Sequence, residues 1–134
     1  MTKHVVLIIA NSPSPSYFKA FAEINAREKL FTFTYIFLLS ENMKAIEEFR
    51  SLNVNTHWFY FNYTKKKYFQ YIRLTFQLFK LFIKIKPDVV HTNLFDDSLP
   101  GLFAAALAGI KKRIITKQDT GYHILYHSEY IKFD

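Results

Sequence analysis

Four short polar segments follow apolar runs that are typical of buried strands. They are Asn11-Ser12, Ser40-Glu41, His91-Thr92-Asn93 and Gln118-Asp119-Thr120. In an open parallel sheet, ligands bind beyond the carboxyl ends of the strands, which is where these segments are predicted to lie. Any one of them is more often simply the start of a loop. Together, the imidazole, amide and carboxylate groups favour a sugar or acceptor site, because hydroxyl-rich ligands need several fixed donors and acceptors. These groups belong to His91, Asn93, Gln118 and Asp119.

The segment from Lys86 to Asp119 has the pattern of one parallel strand–helix–strand unit. Pro87 can open a strand but not lie inside one, and the apolar residues after Asp88 are typical of a strand buried on both faces. This strand is predicted to end in His91-Thr92-Asn93. The segment therefore supplies a strand end that can carry chemistry.

The helix of this unit is predicted to be capped by Ser98, with Pro100 in its first turn. Gly109 lies where a helix C-terminus requires a residue at positive φ. The basic residues that follow suit the negative end of the helix dipole, and they are Lys111, Lys112 and Arg113. The next strand is predicted to begin at Ile114 and to end in Thr116-Lys117-Gln118-Asp119.

The rest of the chain alternates between strand and helix patterns. The predicted strands are His4 to Ala10, Thr32 to Leu39 and Val54 to Phe61, and the predicted helices are Ser16 to Lys29, Ser40 or Asn42 to Leu52, and Lys65 to Ile85. The third strand is polar and aromatic, as an edge strand would be. This alternation predicts an α/β protein with a Rossmann-like, doubly wound parallel sheet of about five strands.

The unit from Lys86 to Asp119 closely resembles the N-terminal, acceptor-side domain of GT-B glycosyltransferases of family 4. The resemblance rests on His91, Asn93, Asp96, Gly101, Gly109, Arg113 and Thr116. It implies a retaining hexosyltransferase that moves a sugar from a nucleotide-sugar donor to a cell-envelope or lipid-linked glycan acceptor, with no metal or other cofactor. Residues 1–134 would form an incomplete N-terminal half, inactive alone, and the C-terminal nucleotide-sugar-binding domain would be missing.

Two departures from the family pattern change the expected site. Many relatives carry Gly-Gly after the first strand, whereas the loop that begins with Asn11 and Ser12 has no glycine. Many also carry a histidine where Gln118 stands, and an amide cannot exchange a proton near neutral pH. We therefore expect an acid–base role to fall on Asp119. The expected substrate-binding residues are Asn11, Ser12, His91, Asn93 and Gln118.

The helix pattern from Lys65 to Lys84 carries one narrow polar stripe on an otherwise aromatic and aliphatic surface. The stripe consists of Lys66, Gln70, Arg73, Gln77, Lys80 and Lys84. The wide apolar arc has two explanations, of which burial against the sheet is favoured. The other is contact with an anionic membrane surface, which the net charge of +7 and the pI near 9.5 also suit. Nucleic acid is a poor fit as a partner, because the aromatics follow a helical core period.

Composition excludes several kinds of binding site and of structural framework. The absence of cysteine excludes disulfides and thiolate metal sites, and His57, His123 and His127 lack zinc-binding companions. The first apolar run is too short to span a bilayer. The protein is expected in the cytoplasm. If it also contacts a membrane, the expected position is the inner face of the plasma membrane. Two other functions stay open: a GT-B sugar-nucleotide epimerase half and a non-catalytic membrane-surface binding module.

Overall fold

The computed structural model describes residues 2–10, 16–41, 44–93 and 95–116. The strands are β1 (Lys3–Ala10), β2 (Phe31–Leu39), β3 (Asn55–Tyr60), β4 (Val89–Thr92) and β5 (Lys112–Ile115). The helices are α1 (Ser16–Glu28), α2 (Lys44–Ser51), α3 (Lys67–Ile85) and α4 (Phe95–Leu107). The predicted alternation of strand and helix is confirmed.

The five strands form one parallel sheet in the order β3-β2-β1-β4-β5. β1 pairs with β2 from Lys3 to Ala10 and with β4 from Val5 to Ile8. β3 lies at one edge, as its polar and aromatic sequence predicts. The Rossmann-like fold class is therefore confirmed.

Two helical layers cover opposite faces of the sheet. Successive side chains of a strand point to opposite faces, so alternate residues of β1 enter different cores. One core combines Leu7 and Ile9 with Phe18 of α1 and Phe49 of α2. The second core contains Val6, Ile8, Leu74, Leu78, Phe82, Ala104 and Ala105. α1 and α2 therefore lie on one face, and α3 and α4 lie on the other.

The prediction for the start of α4 is wrong by one turn. The helix begins at Phe95, and Pro100 lies inside it rather than in its first turn. Ser98 is buried, and its hydroxyl donates to Thr92 Oγ1 at 2.9 Å instead of capping the helix. Two carboxylates in the first turn, including that of Asp97, complement the positive end of the helix dipole. That charge pattern, rather than a hydroxyl cap, marks the true start.

Gly101 and Gly109 each meet a specific steric need in α4. A Cβ atom on Gly101 would lie 2.7 Å from Ile8 Cδ1, so this glycine allows α4 to pack closely on β1. Gly109 has a φ of 77°, and the Ile110 amide after it donates to the Ala105 carbonyl at 2.9 Å. This is the pattern of a Schellman motif, and the positive φ predicted for Gly109 is confirmed.

The start of β5 is also earlier than predicted. The strand begins at Lys112, so Lys112 and Arg113 belong to it rather than to a basic helix end. Arg113 Nη1 donates to the Ile110 carbonyl at 2.7 Å. The ladder with β4 explains the difference, because Val89 pairs with Lys112. The predicted continuation through residues 117–119 lies outside the described residues.

The buried and exposed sides of α3 differ from those that its sequence pattern predicts. Gln70, assigned to the polar stripe, is buried: its Oε1 accepts from the Asn62 amide at 2.7 Å, and its Nε2 donates to the Asn62 carbonyl at 2.9 Å. Leu74, Leu78 and Phe82 are buried against the sheet. Four further apolar side chains are partly buried against the same core, and they are Tyr71, Phe79, Leu81 and Ile85. The others are exposed: Tyr68, Phe69, Ile72, Phe76 and Ile83. Burial therefore accounts for part of the arc, and five of its apolar side chains stay exposed.

An ion pair with little exposure joins α3 to α4 where both helices begin. Lys67 Nζ lies 3.2 Å from Asp96 Oδ1, and the two side chains are 18% and 11% exposed. The Tyr71 hydroxyl donates to the same oxygen at 2.6 Å. Asp96 thus holds two groups of α3 at the carboxyl edge of the sheet.

The two sides of α3 are expected to respond differently to truncation. Leu78→Ala removes a fully buried side chain and should lower the free energy of unfolding by about 2–5 kcal/mol. Phe76→Ala, on the exposed side of the same helix, should change it by about 0.5 kcal/mol or less. Urea unfolding followed by circular dichroism measures both values. Equal losses for the two variants would contradict the orientation of α3.

The Lys67–Asp96 pair should contribute more to stability than an exposed pair. Asp96→Asn keeps an oxygen for Tyr71 but removes the negative charge 3.2 Å from the Lys67 ammonium, and we expect a loss of about 2–3 kcal/mol. Glu47→Gln, which breaks the exposed pair with Arg50, is the matched control and should cost about 0.5 kcal/mol or less. Thermal unfolding of both variants gives the comparison. An Asp96→Asn protein as stable as the control would show that the pair is too well solvated to matter.

Candidate functional site

The strand order creates one crevice where ligands are expected to bind. From β1 the chain proceeds outward to β2 and β3, and it then crosses to β4 and β5 on the other side of β1. The carboxyl ends of β1 and β4 therefore flank the switch point of the sheet, the usual ligand site of such folds. The predicted segment His91-Thr92-Asn93 lies here, at the end of β4. Ser40 and Glu41 are exposed and follow β2, which pairs with β1 on the side away from β4.

Asn93 links the two strands that flank the crevice. Its Nδ2 donates to the Ile8 carbonyl of β1 at 3.0 Å, and its backbone amide donates to Asp97 Oδ1 at 3.1 Å. The residue is only 3% exposed. An amide in this position fixes the spacing of β1 and β4 at the crevice. A direct role in binding a substrate stays a prediction.

His91 has a different environment from Asn93, although only one residue separates them. It pairs in register with Leu7 of β1 and Ile114 of β5, and it shares the sheet face of Leu7, away from α3 and α4. Its Nε2 lies 2.7 Å from Thr116 Oγ1, which orients the ring. The side chain is half-buried, and burial lowers the pKa of His91 below its ordinary value of 6.5. The ring is therefore neutral at pH 7.

A buried polar cluster lies beneath the crevice. The Thr92 hydroxyl accepts from Ser98 and lies 3.4 Å from the Ile114 carbonyl. Asp97 is fully buried and accepts the Asn93 amide. The sequence pattern did not predict the buried positions of Asp97 and Ser98, because it placed the start of α4 too far along the chain. Adjacent carboxylates at the start of an apolar helix were the available signal.

The remaining candidate site residues, Asn11, Ser12, Gln118 and Asp119, lie outside the described residues, and their roles stay predictions. Within the described ranges, no group of three or more His, Cys, Asp or Glu side chains is arranged to hold a metal ion. His4 lies near the amino end of β1, far from the crevice, and its Nε2 is 2.7 Å from Thr34 Oγ1. What the described part of the crevice offers is hydrogen bonding by a fixed, neutral imidazole.

Comparison with solved structures places the fold among known proteins. The lipopolysaccharide outer core galactosyltransferase WaaB matches with a TM-score of 0.73 and 12% identity, over 98% of this chain and 37% of that one. MurG from Acinetobacter baumannii matches with a TM-score of 0.60 and 20% identity, over 87% of this chain and 34% of that one. This chain therefore spans about a third of the length of these two glycosyltransferases.

A further match shows that the fold alone does not determine an activity. The C-terminal domain of the PF1911 hydrogenase from Pyrococcus furiosus has a TM-score of 0.62 and 15% identity, over 88% of this chain and 94% of that domain. No family model matches the chain, and no curated protein matches it by sequence. The chain thus has the α/β Rossmann-like fold of a GT-B glycosyltransferase domain.

Proposed function

We propose that this chain is the acceptor-side, N-terminal domain of a retaining glycosyltransferase of family 4. The complete enzyme moves a hexose from a nucleotide sugar to a cell-envelope or lipid-linked glycan, at a site that faces the cytoplasm. The domain-level likeness to WaaB and MurG supports a glycosyltransferase. The resemblance of the unit from Lys86 to Asp119 to family 4 supports the finer assignment.

The observation that carries the proposal is the position of His91 beside the switch point. Its ring is held by Thr116 and stays neutral at pH 7, so Nδ1 can form a hydrogen bond with an acceptor hydroxyl. Asn93 holds the strand ends on which that geometry depends. In this proposal the acceptor lies against His91, and the donor is bound by a second domain.

The other residues of the proposed site extend it along the same edge of the sheet. Asn11 and Ser12 contribute polar groups after β1, Gln118 contributes an amide after β5, and Asp119 supplies the acid–base group. The reaction is proposed to need no metal and no organic cofactor, since the nucleotide sugar is itself the activated donor. Turnover requires both domains, because each holds one substrate.

Replacing His91 tests the proposal directly. In the native protein, His91→Ala should lower the rate of label transfer from radiolabelled UDP-sugars to a membrane extract about 10- to 100-fold, because one substrate hydrogen bond is lost. His57→Ala on the edge strand β3 is the matched control, since His57 is also half-buried with a pKa lowered chiefly by burial. The control should keep the wild-type rate.

Two outcomes would contradict the proposal. One is a His91→Ala protein, folded by circular dichroism, that transfers label at the wild-type rate. The other is conversion of the free UDP-sugar to its epimer without any acceptor, which would show an epimerase.

Asn93→Ala is a poor test variant, because the loss of its bond to Ile8 disturbs the fold as well as the site.

The pH dependence of transfer should follow the lowered pKa of His91. Because burial disfavours the charged imidazole, His91 stays neutral as the pH falls from 8 to 6.5, and the transfer rate should not decline over that range on its account. Below pH 6.5 the ring gains a proton as the pH passes the lowered pKa, and the rate should fall. His91→Gln should lack this acid limb, as measured by initial rates at saturating donor. A Gln variant with the same limb as the wild type would assign it to another group.

A further inference from the structure

A cleft of about 530 Å³ lies at the amino edge of the sheet, at the other end of the strands from the crevice. Its lining side chains come from Thr2, from α1 and β2 between positions 22 and 35, and from residues 52–55. It therefore lies where α1 and α2 end and where β2 and β3 begin. Small-molecule sites typically have volumes of about 300–1,000 Å³, so this space, called the amino-edge cleft below, is large enough for a ligand.

An aromatic row on β2 forms one wall of the amino-edge cleft. Phe31, Phe33 and Tyr35 alternate along the strand and therefore share one face of the sheet. The ring centroids of Phe31 and Phe33 are 5.7 Å apart, and those of Phe33 and Tyr35 are 5.8 Å apart. Phe31 is 41% exposed at the mouth, whereas the other two rings are buried. A planar ring in the cleft would extend this row at the spacing that aromatic pairs prefer.

The hydroxyl of Tyr35 is a buried donor that has no hydrogen-bond partner among the described residues. The tyrosine lines the cleft but has no exposed surface, so it lies at the floor. Phenylalanine stands at positions 31, 33 and 37 of the same strand, and at position 35 it would fill the space without an unpaired polar atom. Burial raises the pKa of Tyr35 well above its ordinary value of 10, so the hydroxyl keeps its proton. What this position lacks is an acceptor.

Hydrogen bonds hold the rim of the cleft in place. The Asn25 side chain bonds both backbone groups of Phe31, because its Nδ2 donates to the carbonyl at 2.8 Å and its Oδ1 accepts from the amide at 3.0 Å. The hydroxyls of Thr2 and Thr32 lie 3.1 Å apart. Lys29 carries the only charge among the described residues that line the cleft. A preformed rim with one cation suits an anionic group.

We propose that the amino-edge cleft binds a small aromatic carboxylate. The ring of the ligand would pack against Phe31 and Phe33, and its carboxylate would contact Lys29 at the rim. A second oxygen, at the other end of the ligand, would accept a hydrogen bond from Tyr35. Because Tyr35 has no exposed surface, the floor of the cleft must open slightly to admit that oxygen. This site does not depend on the proposed glycosyl transfer.

Chemical-shift titration of the isotope-labelled full chain tests the site, with 6-methoxynaphthalene-2-carboxylate as the probe. This molecule carries an ether oxygen and a carboxylate at opposite ends of an aromatic system. We expect saturable binding with a Kd of roughly 1 mM or tighter, as for other ligands of this size. The amide signals of Phe33 and Asn53 should shift, and that of His91 should not. The analogue 6-ethylnaphthalene-2-carboxylate lacks the ether oxygen and should bind about 5- to 10-fold more weakly.

Tyr35→Phe isolates the contribution of the hydroxyl. This variant should bind the methoxy probe about 5- to 10-fold more weakly and the ethyl analogue as tightly as the wild type does. Without ligand its Tm should be unchanged or higher, because an unpaired buried hydroxyl has been removed. A loss of general packing at position 35 would instead weaken both compounds equally.

Lys29→Asn isolates the contribution of the charge. Lys29 has a φ of 53°, a conformation that asparagine tolerates, so the backbone can keep its course. The variant should bind the carboxylate about threefold more weakly and should bind the neutral 6-methoxynaphthalene-2-carboxamide as the wild type does. Lys112→Asn on β5 makes the same change in net charge far from the cleft and should have no effect.

A steric pair of variants tests whether the probe enters the cleft. Ala26 is exposed and lines the cleft from α1, so Ala26→Phe should abolish the probe-induced shifts. Ala20→Phe places the same side chain at an exposed position of the same helix that does not line the cleft, and it should bind normally. Circular dichroism of both proteins verifies that they are folded.

The exposed apolar side of α3 is the other surface on which an apolar probe could collect. Phe69 and Phe76 lie there, and no helix among the described residues is long and apolar enough to cross a membrane. Phe69→Ser/Phe76→Ser should leave the affinity for the probe unchanged. A lower affinity in this variant would assign the binding to α3 and overturn the proposal.

Three further results would overturn it. The first is the absence of saturable binding by the methoxy probe. The second is equal affinity for the methoxy and ethyl compounds in the wild type, which would show that the hydroxyl of Tyr35 meets no ligand. The third is binding that Ala26→Phe does not weaken, which would place the probe outside the cleft.

Discussion

The position of β1 in the middle of the sheet is the constraint on which the rest of the structure depends. Its apolar run is hydrogen-bonded to β2 on one side and to β4 on the other, and Val6 to Ala10 are buried on both faces. A strand in that position carries polar groups only near its ends, as β1 does at Lys3 and His4. Polar groups therefore collect at the ends of the strands, and the strand order places the crevice beside the carboxyl end of β1. Close packing of Gly101 on Ile8 brings α4 to the same point.

α3 shows how one helix can serve both the core and the surface. Leu74, Leu78 and Phe82 recur at spacings of four and fill the core beneath the helix. The opposite side is equally apolar, so its hydrophobicity cannot be attributed to the core of this domain. An apolar sequence alone does not distinguish these two sides. Which side of α3 packs against the sheet decides which of these side chains stabilise the core and which stay exposed.

The sequence was sufficient to predict the order of the elements, because each apolar run and each turn residue acts locally. Val89 and Val90 predict a strand, and Gly109 predicts a helix end at positive φ, and the structure confirms both. The burial predicted for both faces of that strand holds for one face only, since Val89 and His91 are partly exposed. The start of α4 could not be predicted from Ser98, because the bond from its hydroxyl to Thr92 depends on how the helix packs. The burial of Gln70 was hidden for the same reason, since its partner Asn62 lies in the preceding loop. Errors therefore occur where the hydrogen bond of a polar side chain depends on how a helix packs against the rest of the fold.

The pair His91 and Asn93 shows the limit of sequence reasoning at the site. Both follow the same apolar run, both are polar, and the family resemblance treats them together. Strand alternation alone would place them on one face of the sheet, but β4 ends at Thr92, and Asn93 turns inward to bind Ile8. Asn93 thus has a structural reason to be an amide in any protein with this strand spacing, whatever that protein does. His91 contacts Thr116 at 2.7 Å, but that bond does not join the two strands that flank the crevice, and an apolar residue could occupy its place beside Leu7 and Ile114. The histidine, and not the motif as a whole, is therefore the residue on which the proposed function rests.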